Sequence, residues 1–167
     1  MIKDKIIECL IDNADEKFDI EIDVWQKYAI KLFENLVSHS EISEQYCLKD
    51  CEFKKVFFDI KFTNSAETHE LNRLYRYKDY PADIITFALF ADDENAQVID
   101  GQVILGDIII ALDKVSEMAY TENKDFEWEL KFLIAHGILH LLGFDHRDET
   151  EYNFVVRHQN LAIEELV

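Results

Sequence analysis

The spacing of apolar residues predicts four strands in this chain. Val56, Phe58, Ile60 and Phe62 share one parity, and the charged residues 55, 59 and 61 share the other, which predicts a strand with one buried face. Residues 2–11 and 84–90 predict two further short strands. Residues 103–111 (VILGDIIIA) are nearly all apolar, which predicts a strand covered on both faces. Asp107 would then be a buried carboxylate that needs a partner.

Helical periodicity marks most of the remaining segments. Apolar residues recur every three or four positions over residues 25–36 and again over 148–166, which predicts two amphipathic helices. A short helix is expected near residues 113–120. Residues 125–142 are apolar on nearly every side, so they predict a central buried helix.

Asn64 and Glu67 form a capping pair, which predicts a helix that starts there and runs to about Arg76. Strands and helices follow one another without strict alternation, which favours an α+β fold. We expect a small mixed β-sheet packed by about five helices, and residues 1–167 to form a single domain.

The charge of the chain is strongly acidic and unevenly distributed. The net charge of −18 argues against non-specific binding to nucleic acid. Residues 53–90 carry five acids and six bases, and they form the only segment without an acidic excess. An anionic ligand is therefore expected to meet the protein there.

Cellular location is suggested by what the sequence lacks. It has no run of 18 uncharged apolar residues and no long apolar segment near its first residue, so neither a membrane span nor a secretory signal is expected. Its three cysteines lack zinc-site spacing and are odd in number. We expect reduced thiols in a cytoplasmic protein.

Three histidines in the run HGILHLLGFDH indicate a metal site. His136 and His140 are four residues apart and lie on one face of a helix. Gly143 can end that helix in the left-handed conformation, so that His146 returns to the same point. Three imidazoles with one open position are typical of a catalytic zinc ion. We expect one Zn²⁺ at the end of the central helix, in a metal-dependent hydrolase domain.

A zinc peptidase is the first alternative, because the histidine spacing is that of H-E-x-x-H-x-x-G-x-x-H metalloproteases. Those enzymes use the glutamate after the first histidine as general base. Here that position is Gly137, which cannot abstract a proton.

Four ordered blocks of the chain resemble one known family. They are the segments ELNRLYR (70–76), KDYPADIITF (78–87), LGDI (105–108) and HGILHLLGFDH (136–146). Together they resemble the YbeY family of bacterial rRNA maturation factors, and order and spacing agree from about Phe53 to Arg147. Ala82 departs from the family's usual threonine, so a hydroxyl is missing there.

The resemblance implies a single-strand-specific, zinc-dependent endoribonuclease that acts in rRNA maturation, including 16S 3′-end processing, and in ribosome quality control. It implies His136, His140 and His146 as ligands of one zinc ion and Arg76 as the catalytic residue. Zinc-activated water would attack the phosphodiester while Arg76 stabilises the phosphate. The general acid is left unassigned, as are the roles of Asn72, Asp83 and Asp107, which fall in the matched blocks.

The expected partners follow from the same resemblance. They are single-stranded rRNA and a ribosomal protein or an assembly GTPase, with no DNA and no membrane. A second alternative is a non-catalytic ribosome-assembly partner in which zinc is structural. The acidic surface favours a basic protein partner in that case.

Overall fold

The computed structural model describes residues 2–91 and 95–166. Met1 and Val167, the ends of the expected domain, lie outside the described residues. The strands are β1 (Ile6–Asn13), β2 (Lys55–Thr63), β3 (Ile84–Ala88) and β4 (Gln102–Ala111). The helices are α1 (Ile22–Ser38), α2 (Ser40–Ser43), α3 (Ser65–Arg76), α4 (Leu112–Glu122), α5 (Phe126–Leu141) and α6 (Glu149–Glu165). A 3₁₀ turn over Ile2–Asp4 precedes β1.

The strands form one mixed sheet in the order β1-β2-β4-β3. β1, β2 and β4 are parallel, and β3 pairs with β4 in the antiparallel direction. The expected α+β class with a small mixed sheet is confirmed. Six α-helices lie within the described part of the chain where about five were expected, and the helix that the sequence pattern missed is the single turn α2.

One face of the sheet packs against α1 and α5. Phe33 of α1 stacks on Phe58 of β2 with ring centroids 5.5 Å apart, and both rings are buried. Helix α5 buries residues on almost every side, including Leu130, Ile134 and Ile138. The prediction of a central buried helix is therefore confirmed.

Strand β4 corrects one expectation from the sequence. Its sheet face away from α5 is largely open, so Ile104 is 60% exposed and Asp107 is exposed rather than buried. Asp107 pairs in register with Asp59 of β2, and the pairing is irregular just before it, where Gly106 has φ of +134°. A run of apolar residues cannot distinguish a strand covered on both faces from one with a partly bare face.

Helix α3 begins as the capping pair predicts. The Asn64 side chain accepts a hydrogen bond from the backbone N–H of Glu67 at 3.1 Å. The Glu67 carboxylate does not return to the cap, because it accepts from Lys61 at 2.6 Å and from the Thr63 hydroxyl. These bonds lower the pKa of Glu67, chiefly through Lys61. They join the start of α3 to the end of β2.

No helix in residues 2–91 and 95–166 has the length and apolar character needed to cross a membrane. Cys9, Cys47 and Cys51 are all unpaired thiols. Burial raises the pKa of Cys9 and of Cys47 to about 12, so both stay protonated at neutral pH.

Candidate metal centre

The end of α5 brings the three histidines of the sequence motif together. His136 and His140 occupy its last two turns. Gly143 has φ of +100°, its N–H donates to His140 O, and the Phe144 N–H donates to Leu139 O, each at 3.0 Å. This is a Schellman motif, which ends the helix and reverses the chain. His146 therefore lies in the loop that follows α5 and faces back towards that helix.

The three imidazole rings converge on one point. One nitrogen from each ring lies within 4.8 Å of the others. The ring centroids of His136 and His140 are 4.5 Å apart, and that of His146 is 5.2 and 5.0 Å from them. The Nε2 atoms of His136 and His140 approach to 2.9 Å. Such an arrangement can hold a metal ion.

Burial keeps two of these rings neutral. It lowers the pKa of His136, against the opposing effect of a hydrogen bond to Gln159. Burial, followed by the neighbouring rings of His136 and His146, lowers the pKa of His140 to about 4. A neutral imidazole is the form that binds a metal, so the site does not need to lose protons from these two rings at neutral pH.

Gln159 of α6 orients the first histidine. Its side-chain Nε2 donates to Phe132 O at 3.0 Å, which turns its Oε1 towards His136. His136 Nδ1–H donates to that oxygen at 3.3 Å, and Gln159 is fully buried. This bond leaves the Nε2 lone pair of His136 free to face the other rings. No sequence motif indicates Gln159, which lies 23 residues away on another helix.

The histidines form part of the wall of a cleft of about 650 Å³. Arg76, the last residue of α3, also lines it and is exposed. Arg76 makes no hydrogen bond or ion pair with any residue that the structure describes, and its charge contributes to the lowered pKa of His140. The three-histidine set fits a metal with an open coordination position, because no fourth acidic, cysteine or histidine side chain joins the cluster in the described residues.

Other charged side chains line the same cleft, and sequence reasoning did not assign most of them to the site. Lys78 follows α3, and Lys114 lies on α4, where it pairs with Glu117 at 2.9 Å. Acidic groups share the walls. They are Asp83, Glu117, Glu122 and Asp145. Of the cations in the cleft, Arg76 and Lys78 lie in the segment that the charge distribution had marked, and Lys114 lies outside it.

No role was assigned to Asn72, Asp83 and Asp107 from the sequence. The first two line the cleft, whereas Asp107 does not. Asn72 lines the cleft, fully buried, and donates through Nδ2 to Tyr80 O at 2.8 Å. Asp83 also lines the cleft, and its carboxylate accepts from the Ile84 N–H at 2.7 Å. Asp107 lies on the open face of the sheet, away from the cleft. Partial desolvation on the sheet and the neighbouring Asp59 carboxylate raise the pKa of Asp107.

Two neighbours of the histidines have structural roles. Asp145 accepts from the backbone N–H of His146 at 2.8 Å and so shapes the loop. A Cβ atom at Gly137 would lie 2.7 to 2.9 Å from side-chain atoms of the buried Ile108. Position 137 therefore points at the sheet and offers no place for the general base of a metallopeptidase.

The other three histidines lie outside the cluster, each in its own hydrogen bond. His39 contacts Glu165 at 3.0 Å, and His69 contacts Asp79 at 2.8 Å. His158 is buried and contacts Glu41 at 2.9 Å.

Comparison with known proteins places this geometry in a family. The model of the family described as "Endoribonuclease YbeY" matches residues 10–167. The protein named endoribonuclease YbeY from Staphylococcus carnosus is 42% identical over 105 residues, which are 63% of this chain and 69% of that protein. The one from Alkaliphilus metalliredigens is 32% identical over 160 residues, 96% of each chain.

The fold comparison agrees. The solution structure of TM1509 from Thermotoga maritima shares 28% sequence identity and superimposes with a TM-score of 0.51, covering 96% of this chain and 88% of that one. The matched segments include all four sequence blocks and the histidine cluster. This chain belongs to the YbeY endoribonuclease family.

Proposed function

We propose that this chain is a cytoplasmic, zinc-dependent endoribonuclease that cuts single-stranded RNA in the maturation of ribosomal RNA, and that residues 1–167 act as one hydrolase domain. The observation that supports it most is the position of an unpaired arginine, Arg76, in the same cleft as three converging imidazoles. The relatives named endoribonuclease YbeY agree with this reaction class. Processing of the 16S 3′ end and ribosome quality control are the roles we assign to it.

His136, His140 and His146 would hold the zinc ion. When bound, zinc supplies a Lewis acid that attracts an anionic phosphodiester and lowers the pKa of a water molecule to ~7. Gln159 keeps His136 in the tautomer that presents Nε2 to the site.

Arg76 binds and orients the substrate phosphate. A planar guanidinium can donate to two phosphate oxygens at once, and it stabilises the additional negative charge of the transition state. Because Arg76 has no partner among the described residues, it does not need to break an ion pair to do so.

The test compares Arg76→Ala with Arg73→Ala on a single-stranded rRNA fragment. Arg73 lies on the same helix, contacts Glu70 at 3.7 Å and Asp79 at 3.8 Å, and does not line the cleft. Arg76→Ala is expected to keep its zinc and its fold and to lose cleavage by at least a hundredfold. Cleavage by Arg76→Ala at the rate of Arg73→Ala would remove Arg76 from the mechanism.

A non-catalytic assembly role with structural zinc is the second candidate, and the net charge of −18 favours a basic protein partner. A structural zinc site normally has four protein ligands, whereas the described residues supply three. Complementation of a deletion strain separates the two functions. Normal rRNA processing with Arg76→Ala would favour the assembly role, and a processing defect equal to that of the deletion would favour catalysis.

A further inference from the structure

An exposed aromatic turn follows α3 beside the cleft. The tyrosine turn, residues 76–80, carries Arg76, Tyr77, Lys78, Asp79 and Tyr80. The Asp79 carboxylate contacts His69 at 2.8 Å and Arg73 at 3.8 Å. The Tyr77 side chain is 93% exposed and that of Tyr80 is 53% exposed. The Tyr77 ring makes no hydrogen bond or ring contact with any other residue in the described ranges. Burial in the fold therefore does not explain an aromatic residue at this position.

The backbone of Tyr77 makes the choice of residue more unusual. Tyr77 is the C-cap of α3 in the left-handed conformation, with φ of 55° and ψ of 35°. Glycine takes this conformation without a steric penalty, and asparagine with a small one, whereas a bulky side chain is disfavoured. The helix cap itself would be more stable with glycine. Tyr77 therefore strains the backbone of the turn, and its ring makes no contact among the described residues that would offset this strain.

The turn is held firmly in place. Asn72 Nδ2 donates to Tyr80 O at 2.8 Å, and the backbone N–H of Lys78 donates to Asn72 O at 3.1 Å. Asn72 is a fully buried residue of α3, so these two hydrogen bonds hold the middle and the end of the turn against the helix. The backbone that carries the two rings is therefore ordered before a ligand binds, so binding does not have to order it.

The charge of the turn suits an anionic chain. Arg76 and Lys78, the neighbours of Tyr77 in sequence, both line the cleft with the histidines. The Lys78 ammonium lies 5.9 Å from the centre of the Tyr80 ring. Aromatic rings interleaved with cations are the arrangement that binds single-stranded nucleic acid, through stacking of bases and attraction of phosphates.

We propose that Tyr77 and Tyr80 form a base-stacking subsite, which holds an unpaired nucleotide next to the phosphodiester that is cut. The inference rests on the proposed endoribonuclease function. The strand would leave the metal centre across Arg76 and Lys78 and place its next bases on the two rings. Stacking does not distinguish one base strongly from another, so the subsite would select single strands over duplexes rather than a particular sequence.

The test uses fluorescence anisotropy with two labelled 2′-O-methyl RNA strands of equal length, one intact and one abasic at its central positions. For the intact strand, Tyr77→Gly is expected to bind roughly 5- to 150-fold more weakly than wild type, the range for loss of one stacked base. For the abasic strand, wild type and Tyr77→Gly should bind alike, because the phosphates and the cations are unchanged. Tyr77→Phe should bind the intact strand like wild type.

Two controls separate stacking from folding. Tyr120 is 91% exposed on α4 and, unlike Tyr77, has no arginine or lysine beside it in sequence, so Tyr120→Ala should bind both strands like wild type. Tyr77→Gly should have an unchanged or higher melting temperature, because glycine relieves the left-handed strain. In cleavage of single-stranded RNA, the variant should lose activity mainly through a higher KM.

Equal binding of the intact strand by wild type and Tyr77→Gly would overturn the subsite, and so would an equal loss of affinity for the abasic strand. The proposed function fails in a different way. Wild-type protein that binds the intact strand through Tyr77 but cleaves no RNA would contradict the nuclease and keep the subsite. Wild-type protein that binds no single strand would contradict both.

Discussion

His136 Nδ1 meets the side-chain oxygen of Gln159 at 3.3 Å, across the contact between α5 and α6. The amide cannot rotate without losing its 3.0 Å bond to Phe132 O. The last helix of the chain therefore determines which nitrogen of His136 faces the metal centre.

Replacing Gln159 should weaken metal binding without unfolding the protein. Gln159→Leu removes the acceptor of the His136 proton, and loss of such a partner typically costs 10- to 100-fold in metal affinity. The measurement is competition with a zinc chelator, and nitrogen NMR of His136 would show a mixture of tautomers. Asn160 is the next residue of α6 and its side chain donates to Val156 O, so Asn160→Leu should keep wild-type affinity. Equal affinity of the two variants would contradict a role for Gln159.

His140→Ala should lose the bound metal. Removing one of three ligands leaves two imidazoles, which cannot hold zinc against a chelator in the way that the complete set does. Metal content should fall from one equivalent towards zero, as measured by elemental analysis after dialysis. His69→Ala is the matched control, because the His69 ring bonds to Asp79 and lies outside the cluster. A full equivalent of metal in His140→Ala would refute the ligand assignment.

Gly137→Ala should destabilise the fold although alanine is the better helix former. The new Cβ would approach Ile108 within 2.7 Å, and overpacking of a core costs about 1–3 kcal/mol. Better helix propensity returns about 1 kcal/mol, so the net loss in urea denaturation should be at most about 2 kcal/mol. Ile108→Ala should cost less in the Gly137→Ala background than alone. Additive effects of the two substitutions would show that these positions do not compete for space.

Glu129 should make stability depend on pH. It is 1% exposed, and burial, followed by the charges of Glu122 and Asp83, raises its pKa from 4.5 to about 7. Between these values the folded protein holds a proton that the unfolded chain has released. The contribution of Glu129 to the free energy of unfolding therefore falls as the pH rises through this window, and its destabilising effect is complete above pH 7.

Glu129→Gln should remove the destabilisation that ionised Glu129 causes above pH 7, because the amide carries no charge at any pH. Without metal, the variant should be more stable than wild type by roughly 1–3 kcal/mol at pH 8, and by much less at pH 5. Urea denaturation at the two pH values provides the measurement. Glu127→Gln, an exposed position on the same helix, should follow wild type at both. The same difference between Glu129→Gln and wild type at both pH values would exclude a buried carboxyl that ionises in this window.

Local signals predicted most of the secondary structure. The alternation over residues 56–62 and the cap at Asn64 depend on neighbours in sequence, and the structure reproduces both. The prediction that β4 is covered on both faces was wrong, because the exposure of Ile104 and Asp107 depends on which helices pack on the sheet. That is decided by the packing of helices from elsewhere in the chain, and no short window of sequence contains it.

The convergence of His136, His140 and His146 was available from the sequence alone, since helix periodicity and a glycine turn are set within eleven consecutive residues. The family was available too, from four blocks in order. Tertiary structure alone placed Arg76 in the same cleft as these rings, brought Gln159 against His136 and left Tyr77 uncovered between two residues of the cleft wall. Those relationships join segments far apart in the chain, and they exist only once the helices have packed on the sheet.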